Sequence, residues 1–236
     1  MAYTDIDKPS DYFETVLYTG NQTARNITMD FAPNWVWIKK RTGASGTSNH
    51  YLLDSVRGAN KVLYSNATNA EETNTNSVTA FNSDGFSLGN DTDVNVNSGT
   101  FASWNWKEQA GVFDIVSYTG NATSGATISH NLGVVPTMMI VKCRSVAGTN
   151  WIVYTAATGN THWMYLNATN AAGANSAAWN NTSPTASQFS LGNDGDVNGN
   201  GRTYIAYLFG NKQGVSKMGS YTGNGNADGT FVYTGF

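Results

Sequence analysis

Charge is scarce in this chain. Only 12% of its 236 residues are Asp, Glu, Lys or Arg, about half the usual share of a globular protein. Net charge is −3, and the densest basic cluster is Lys39-Lys40-Arg41. A nucleic-acid footprint needs more clustered cations than that, so nucleic acid is not an expected partner. One cysteine, Cys143, allows no internal disulfide. It sits in Met138-Met139-Ile140-Val141-Lys142-Cys143 and reads as a buried strand thiol. No apolar run approaches the ~20 residues of a membrane helix, so no membrane is expected. The opening Met1-Ala2-Tyr3-Thr4-Asp5 has neither a basic region nor an apolar signal core, which predicts synthesis in a cytoplasm without a cleaved signal peptide. Glu is sparse and no helical apolar period persists, so long helices are excluded.

What replaces charge is turn chemistry. The chain holds 29 Asn and 25 Gly, residues that tolerate positive φ and close tight turns. Short apolar runs return every 10–15 residues between Asn, Gly, Asp and Ser clusters. That rhythm predicts an all-β, antiparallel sandwich or barrel. Trp35, Trp37 and Lys39 alternate with Val36 and Ile38, a strand buried on both faces. In Ser103-Trp104-Asn105-Trp106 both Trp point to one face.

The strongest signal is self-similarity. Tyr-Thr-Gly-Asn occurs at Tyr18–Asn21, Tyr118–Asn121 and Tyr221–Asn224. Between copies, landmarks return in order. Pro33–Lys39 matches Pro136–Lys142, and Asn66-Ala67-Thr68-Asn69-Ala70 matches Asn167-Ala168-Thr169-Asn170-Ala171. Phe86–Asp91 matches Phe189–Asp194, and Phe101–Trp106 matches Tyr204–Phe209. The expectation is two tandem jelly-roll-like β-sandwich repeats of seven or eight strands each. They run over 16–111 and 112–215, after an N-terminal segment 1–15. A partial third repeat follows at 216–236, with two strands. Two strands bury no core alone, so either the natural chain continues or these strands complete another sheet.

Candidate chemistry is thin. His50, His130 and His162 stand among Asn, Thr and Ser without a nucleophile or acid at a suggestive spacing. The pair Glu71-Glu72 reads as a solvated loop. No catalytic residue is assigned. Asp194-Gly195-Asp196-Val197-Asn198 resembles the first half of a calcium loop, and Asp91-Thr92-Asp93-Val94-Asn95 recurs at the same place. Asp91, Asp93, Asn95, Asp194, Asp196 and Asn198 are therefore candidate Ca2+ ligands, and no other cofactor is implied. The twelfth position of the second loop is Ile205, so the bidentate Glu is absent. The alternative is a hairpin turn using Asp, Asn and Gly. Trp163 and Trp179 lie in polar surroundings and are candidate sugar-stacking residues, whereas Trp104 and Trp106 read as core. Arg57 in Asp54-Ser55-Val56-Arg57-Gly58 is expected to pair with Asp54 or a sheet edge.

These motifs resemble a group of virion proteins of marine tailed phages. Their repeats carry a Tyr-Thr-Gly-Asn-Gly opening, Pro-x-Trp-Val-Trp-Ile-Lys, Asp-Ser-Val-Arg-Gly, Phe-x-Ser-Asp-Gly-Phe-x-Leu-Gly and Trp-Asn-Trp-Lys. Here these are Tyr18–Asn21, Pro33–Lys39, Asp54–Gly58, Phe81–Gly89 and Trp104–Lys107. The opening with Asp7-Lys8-Pro9-Ser10 is typical of the same group. The second unit lacks Asp-Ser-Val-Arg-Gly and Trp-Asn-Trp-Lys. The resemblance implies a non-enzymatic structural protein of the virion surface, tail-fibre-like or a capsid-surface fibre or decoration, with a role in host attachment. Its implied partners are other virion proteins and copies of itself, as a homo-oligomer for which a trimer is the common fibre arrangement. The alternative reading is a carbohydrate-binding module for host surface glycans.

Overall fold

The structure, a computed structural model, describes residues 6, 8–43 and 48–234. The described part of the N-terminal segment holds a 3-10 turn at Pro9–Asp11. The first half contains β1 (Phe13–Thr19), β2 (Arg25–Thr28), β3 (Trp35–Thr42), β4 (Tyr51–Asp54), β5 (Lys61–Tyr64), β6 (Glu72–Thr73), β7 (Val78–Asn82), β8 (Gly85–Leu88), the one-turn helix α1 (Thr92–Asn95) and β9 (Thr100–Trp106). The second contains β10 (Phe113–Thr119), β11 (Ala126–Ser129), β12 (Met138–Cys143), β13 (Trp151–Thr155), β14 (His162–Tyr165), β15 (Gly173–Ala174), α2 (Ser176–Trp179), β16 (Gln188–Leu191), α3 (Gly195–Asn198) and β17 (Thr203–Phe209). The all-β reading holds, and every strand pairing is antiparallel.

Each half has one large and one small sheet. The large sheets run β1-β9-β3-β4-β5-β6 and β10-β17-β12-β13-β14-β15, the same order in both. The small sheets are β2-β8-β7 and β11-β16. The second half has no counterpart of β7, and α2 with the loop after it takes that place. Pro184 lies in that loop, and proline cannot donate to a ladder.

Three apolar cores follow. Ile27, Val36, Ile38, Leu53, Phe86 and Phe101 fill the space between the first large sheet and its small sheet. Met139, Val141, Tyr154, Phe189, Leu191 and Tyr204 do the same in the second half. A third core joins the outer faces of the two large sheets: Trp35, Leu52 and Leu63 meet Phe113, Ile140, Trp151, Ile205 and Tyr207. The central strands of the large sheets are thus covered on both faces, which explains strands such as Tyr51–Asp54 with every residue buried. The chain passes between halves through a tight bridge, Gln109 to Phe113.

The recurring Tyr-Thr-Gly-Asn is a docking element. Tyr18 donates its hydroxyl to Val94 O at 2.8 Å, and Tyr118 donates to Val197 O at 2.8 Å. Gly20 and Gly120 pass so close to the helical turns that an added Cβ would lie 2.2 Å from Val96 O and 2.4 Å from Gly199 O. Only glycine fits such an approach. The third occurrence differs. No strand forms between Met218 and Thr234, so the two strands expected there are corrected. A strand needs a neighbour to receive its backbone bonds, and among the described residues no strand pairs with the segment.

Gly20→Ala and Gly120→Ala should each cost roughly 2–4 kcal/mol, the range of a backbone clash that cannot relax. Urea unfolding of each variant checks this; a loss under 0.5 kcal/mol would contradict the close approach.

Candidate functional site

The Asp-Ser-Val-Arg-Gly motif closes the turn from β4 to β5 and faces the third core. Asp54 Oδ1 accepts the Arg57 N–H at 2.8 Å, and Asp54 Oδ2 accepts from Arg57 Nε at 2.5 Å. The expected pairing of Arg57 with Asp54 is present, and both side chains are fully buried. The remaining guanidinium donors reach Lys61 O, Glu71 Oε2, Leu52 O and the Tyr207 hydroxyl. All five N–H groups are engaged, which a buried cation requires. Tyr207, from the second half, donates its hydroxyl to Asp54 Oδ2 at 2.7 Å. Burial pushes that hydroxyl well above the usual phenol range, so it stays protonated. Glu71 accepts from Arg144 at 2.8 and 3.1 Å. It is partly buried, not a solvated loop residue. Burial raises its pKa, but the bonds from Arg144 and the charge of Arg57 outweigh this and hold it below the ordinary value. Trp35 stacks on Tyr207 with centroids 4.3 Å apart. The motif is therefore a fastening between the halves.

The acidic loops form helical turns, not hairpins. Asp91 Oδ1 caps α1 by accepting the Asp93 N–H at 2.7 Å, and Asp194 caps α3 through Asp196 at 2.8 Å. Asp91 Oδ2 accepts from Asn74, and Asp194 Oδ2 accepts from Asn175 at 3.3 Å. Asp93 accepts from Ser48 and Tyr51, and Asp196 accepts from Asn150. Asn95 and Asn198 are buried. Their amides donate to Thr23 O and Gly89 O, and to Thr123 O and Gly192 O. Their oxygens accept the Asn21 and Asn121 N–H groups of the docking tetrapeptide. Among the described residues no three acidic, His or Cys side chains converge on one point. A cation at either loop would have to displace these caps.

The sugar-stacking candidates fare differently. Trp179 is 1% exposed in the second core, edge-to-face with Tyr154 and donating to His162 O at 3.1 Å. Its expected exposure is corrected: Asn175 caps α2, and that turn drives the indole inward. Trp163 packs partly buried on the same core, tilted on Tyr165 at 5.2 Å. An aromatic face exists elsewhere, on the outer side of the first large sheet. Thr15, Trp104 and Trp37 are adjacent across β1, β9 and β3. Leu17, 64% exposed, lies one row on. Trp37 and Trp104 meet edge-to-face at 6.3 Å, and both are half-buried, as is Trp106. The reading of Trp104 as core is corrected for that face, whereas Trp106 packs on the third core against Trp35, Phe113 and Phe209. Trp37 Nε1 donates to His50 Nδ1 at 2.9 Å. Burial, then the charge of Lys39, lowers the His50 pKa, so the ring is neutral and can accept. On the matching face of the second sheet Ile205, Lys142 and Trp151 are completely buried. Indole faces flanked by Thr, His and Lys groups suit the apolar side of a sugar ring with its hydroxyls outward. His130 is buried and contacts Thr185 O and the Leu132 N–H; His162 pairs with Thr161.

The profile described as Domain of unknown function (DUF7483) matches residues 8–236. The chain belongs to the DUF7483 family. No curated protein and no solved structure matches it. The DUF7483 match spans both halves and the tail after β17.

In this DUF7483 chain, Glu71→Gln should destabilise the fold by about 2–4 kcal/mol at pH 7, because it leaves Arg57 with one weakened partner. A carboxyl lowered on folding stabilises above its unfolded value and loses that contribution as pH falls through the folded value. The difference between wild type and variant should therefore be full above pH 4.5 and shrink below it, as chemical unfolding at several pH values would read. A pH-independent difference would contradict the ion-pair account.

Proposed function

We propose that this chain is a non-enzymatic structural module of a phage particle surface, part of a tail fibre or a capsid-surface fibre or decoration. The observation that carries the reading is the third core, where two units of like strand order are joined outer face to outer face through Trp35, Tyr207 and the Arg57 network. Such a joint makes a rigid rod element, and units that bury a face against a neighbour are the basis of extended repeat assemblies. The motif likeness to marine tailed-phage virion proteins supports the same reading. In it the chain assembles with other virion proteins and with copies of itself. Particles purified from a host infected by the phage that encodes this chain should contain its peptides in stoichiometric amounts by mass spectrometry. Their absence from washed particles would overturn the proposal.

A second reading, attachment to a host surface glycan, is favoured by the half-open face of Trp37 and Trp104. In that reading Trp104→Ala loses glycan-array binding while Trp163→Ala keeps it. Wild-type protein without any array signal would remove this reading.

A further inference from the structure

The third Tyr-Thr-Gly-Asn is preformed for a partner that is not found among the described residues. The turn that leads into it is built like the one that leads into the second unit. Lys212 bridges Ser216 as Gln109 bridges Phe113, and Gly214 has φ +80° where Gly111 has +81°. Asn224 Oδ1 accepts the Asn226 N–H at 2.9 Å, the same local bond that Asn21 makes to Thr23 and Asn121 to Thr123. From there the copies diverge. Tyr18 is 8% exposed and stacked on Phe101, and Tyr118 is stacked on Tyr204, but Tyr221 is 72% exposed. A Cβ on Gly20 or Gly120 would strike the backbone of an Asp-capped turn, whereas a Cβ on Gly223 meets nothing within 4 Å. Phe231 stands 10 residues after Tyr221, as Ile128 does after Tyr118. Ile128 packs on the second core; Phe231 is 88% exposed. Both Asp-x-Asp-x-Asn turns of the chain already hold a tetrapeptide through Asn95 and Asn198.

We propose that Met218–Thr234 is a docking segment for a further unit of this same fold, one that presents an Asp-x-Asp-x-Asn turn and strands equivalent to β3–β9 without its own opening strands. Tyr221 donates to the carbonyl of that turn's Val, the turn's Asn accepts the Asn224 N–H, Gly223 makes the close approach, and Phe231 enters the partner's core. The inference rests on the repeat geometry alone and stands whether or not the particle reading does.

The test is a chimera in which residues 34–107 follow residue 236 directly, which keeps the spacing from the tetrapeptide found in the first unit. A companion chimera with residues 12–107 appended establishes that the block folds when its own opening strands accompany it. Hydrogen exchange reads the appended strand equivalent to β9. Docking predicts exchange slowed by at least ~100-fold relative to an unfolded chain, and Gly223→Val, whose Cβ meets nothing within 4 Å, removes that protection. An unprotected block beside a folded companion overturns the proposal, as does protection that survives Gly223→Val.

Discussion

A guanidinium group buried between two sheets is the constraint on which this structure turns. Taking a cation out of water costs several kcal/mol unless every donor is met. Arg57 meets that condition only because five oxygens converge on it, and one of them, the Tyr207 hydroxyl, belongs to the other half. Tyr207 in turn bonds Asp54 and lies flat against Trp35. Charge satisfaction and aromatic packing are thus the same contact. Neither half can withdraw without stranding a buried ion and exposing the indole of Trp35.

The duplication is asymmetric where it matters. The second unit has Thr155 and Thr158 where the first has Asp54 and Arg57, and these threonines bond each other at 3.0 Å. That corner keeps the turn, since Gly159 N–H bonds Thr155 O as Gly58 N–H bonds Asp54 O. It does not reach across. One ionic fastening serves the pair, joined by Trp151 Nε1 donating to Tyr64 O at 2.8 Å. In this arrangement Ile140, Trp151, Ile205 and Tyr207 on the outer face of the second sheet are buried, while Leu17, Trp37 and Trp104 of the first stay partly open.

Much of this was legible in the chain. The strands were marked by Asn and Gly punctuation, and landmarks returning about 100 residues apart gave their order twice. The Asp54–Arg57 pair was legible because it is local. Tyr207, Glu71 and Arg144 were not, because nothing near Arg57 announces partners 14 to 150 residues away. The acidic loops are ambiguous in sequence for a physical reason: Asp-x-Asp-x-Asn places oxygens for a cation and for an N-cap with the same spacing. Trp179 sits in a polar neighbourhood, and only the one-turn helix capped by Asn175 reveals that its side chain points inward. For Trp104 the period-two pattern gave the face. Whether that face would be covered depended on how two sheets overlap, which no single strand encodes.

Differential scanning calorimetry tests the fastening most directly. If the shared interface couples the halves, the wild-type chain melts in one transition whose calorimetric and van't Hoff enthalpies agree. Arg57→Ala, combined with Tyr207→Phe, then splits it into two. A wild-type trace already resolved into two independent transitions would contradict the account.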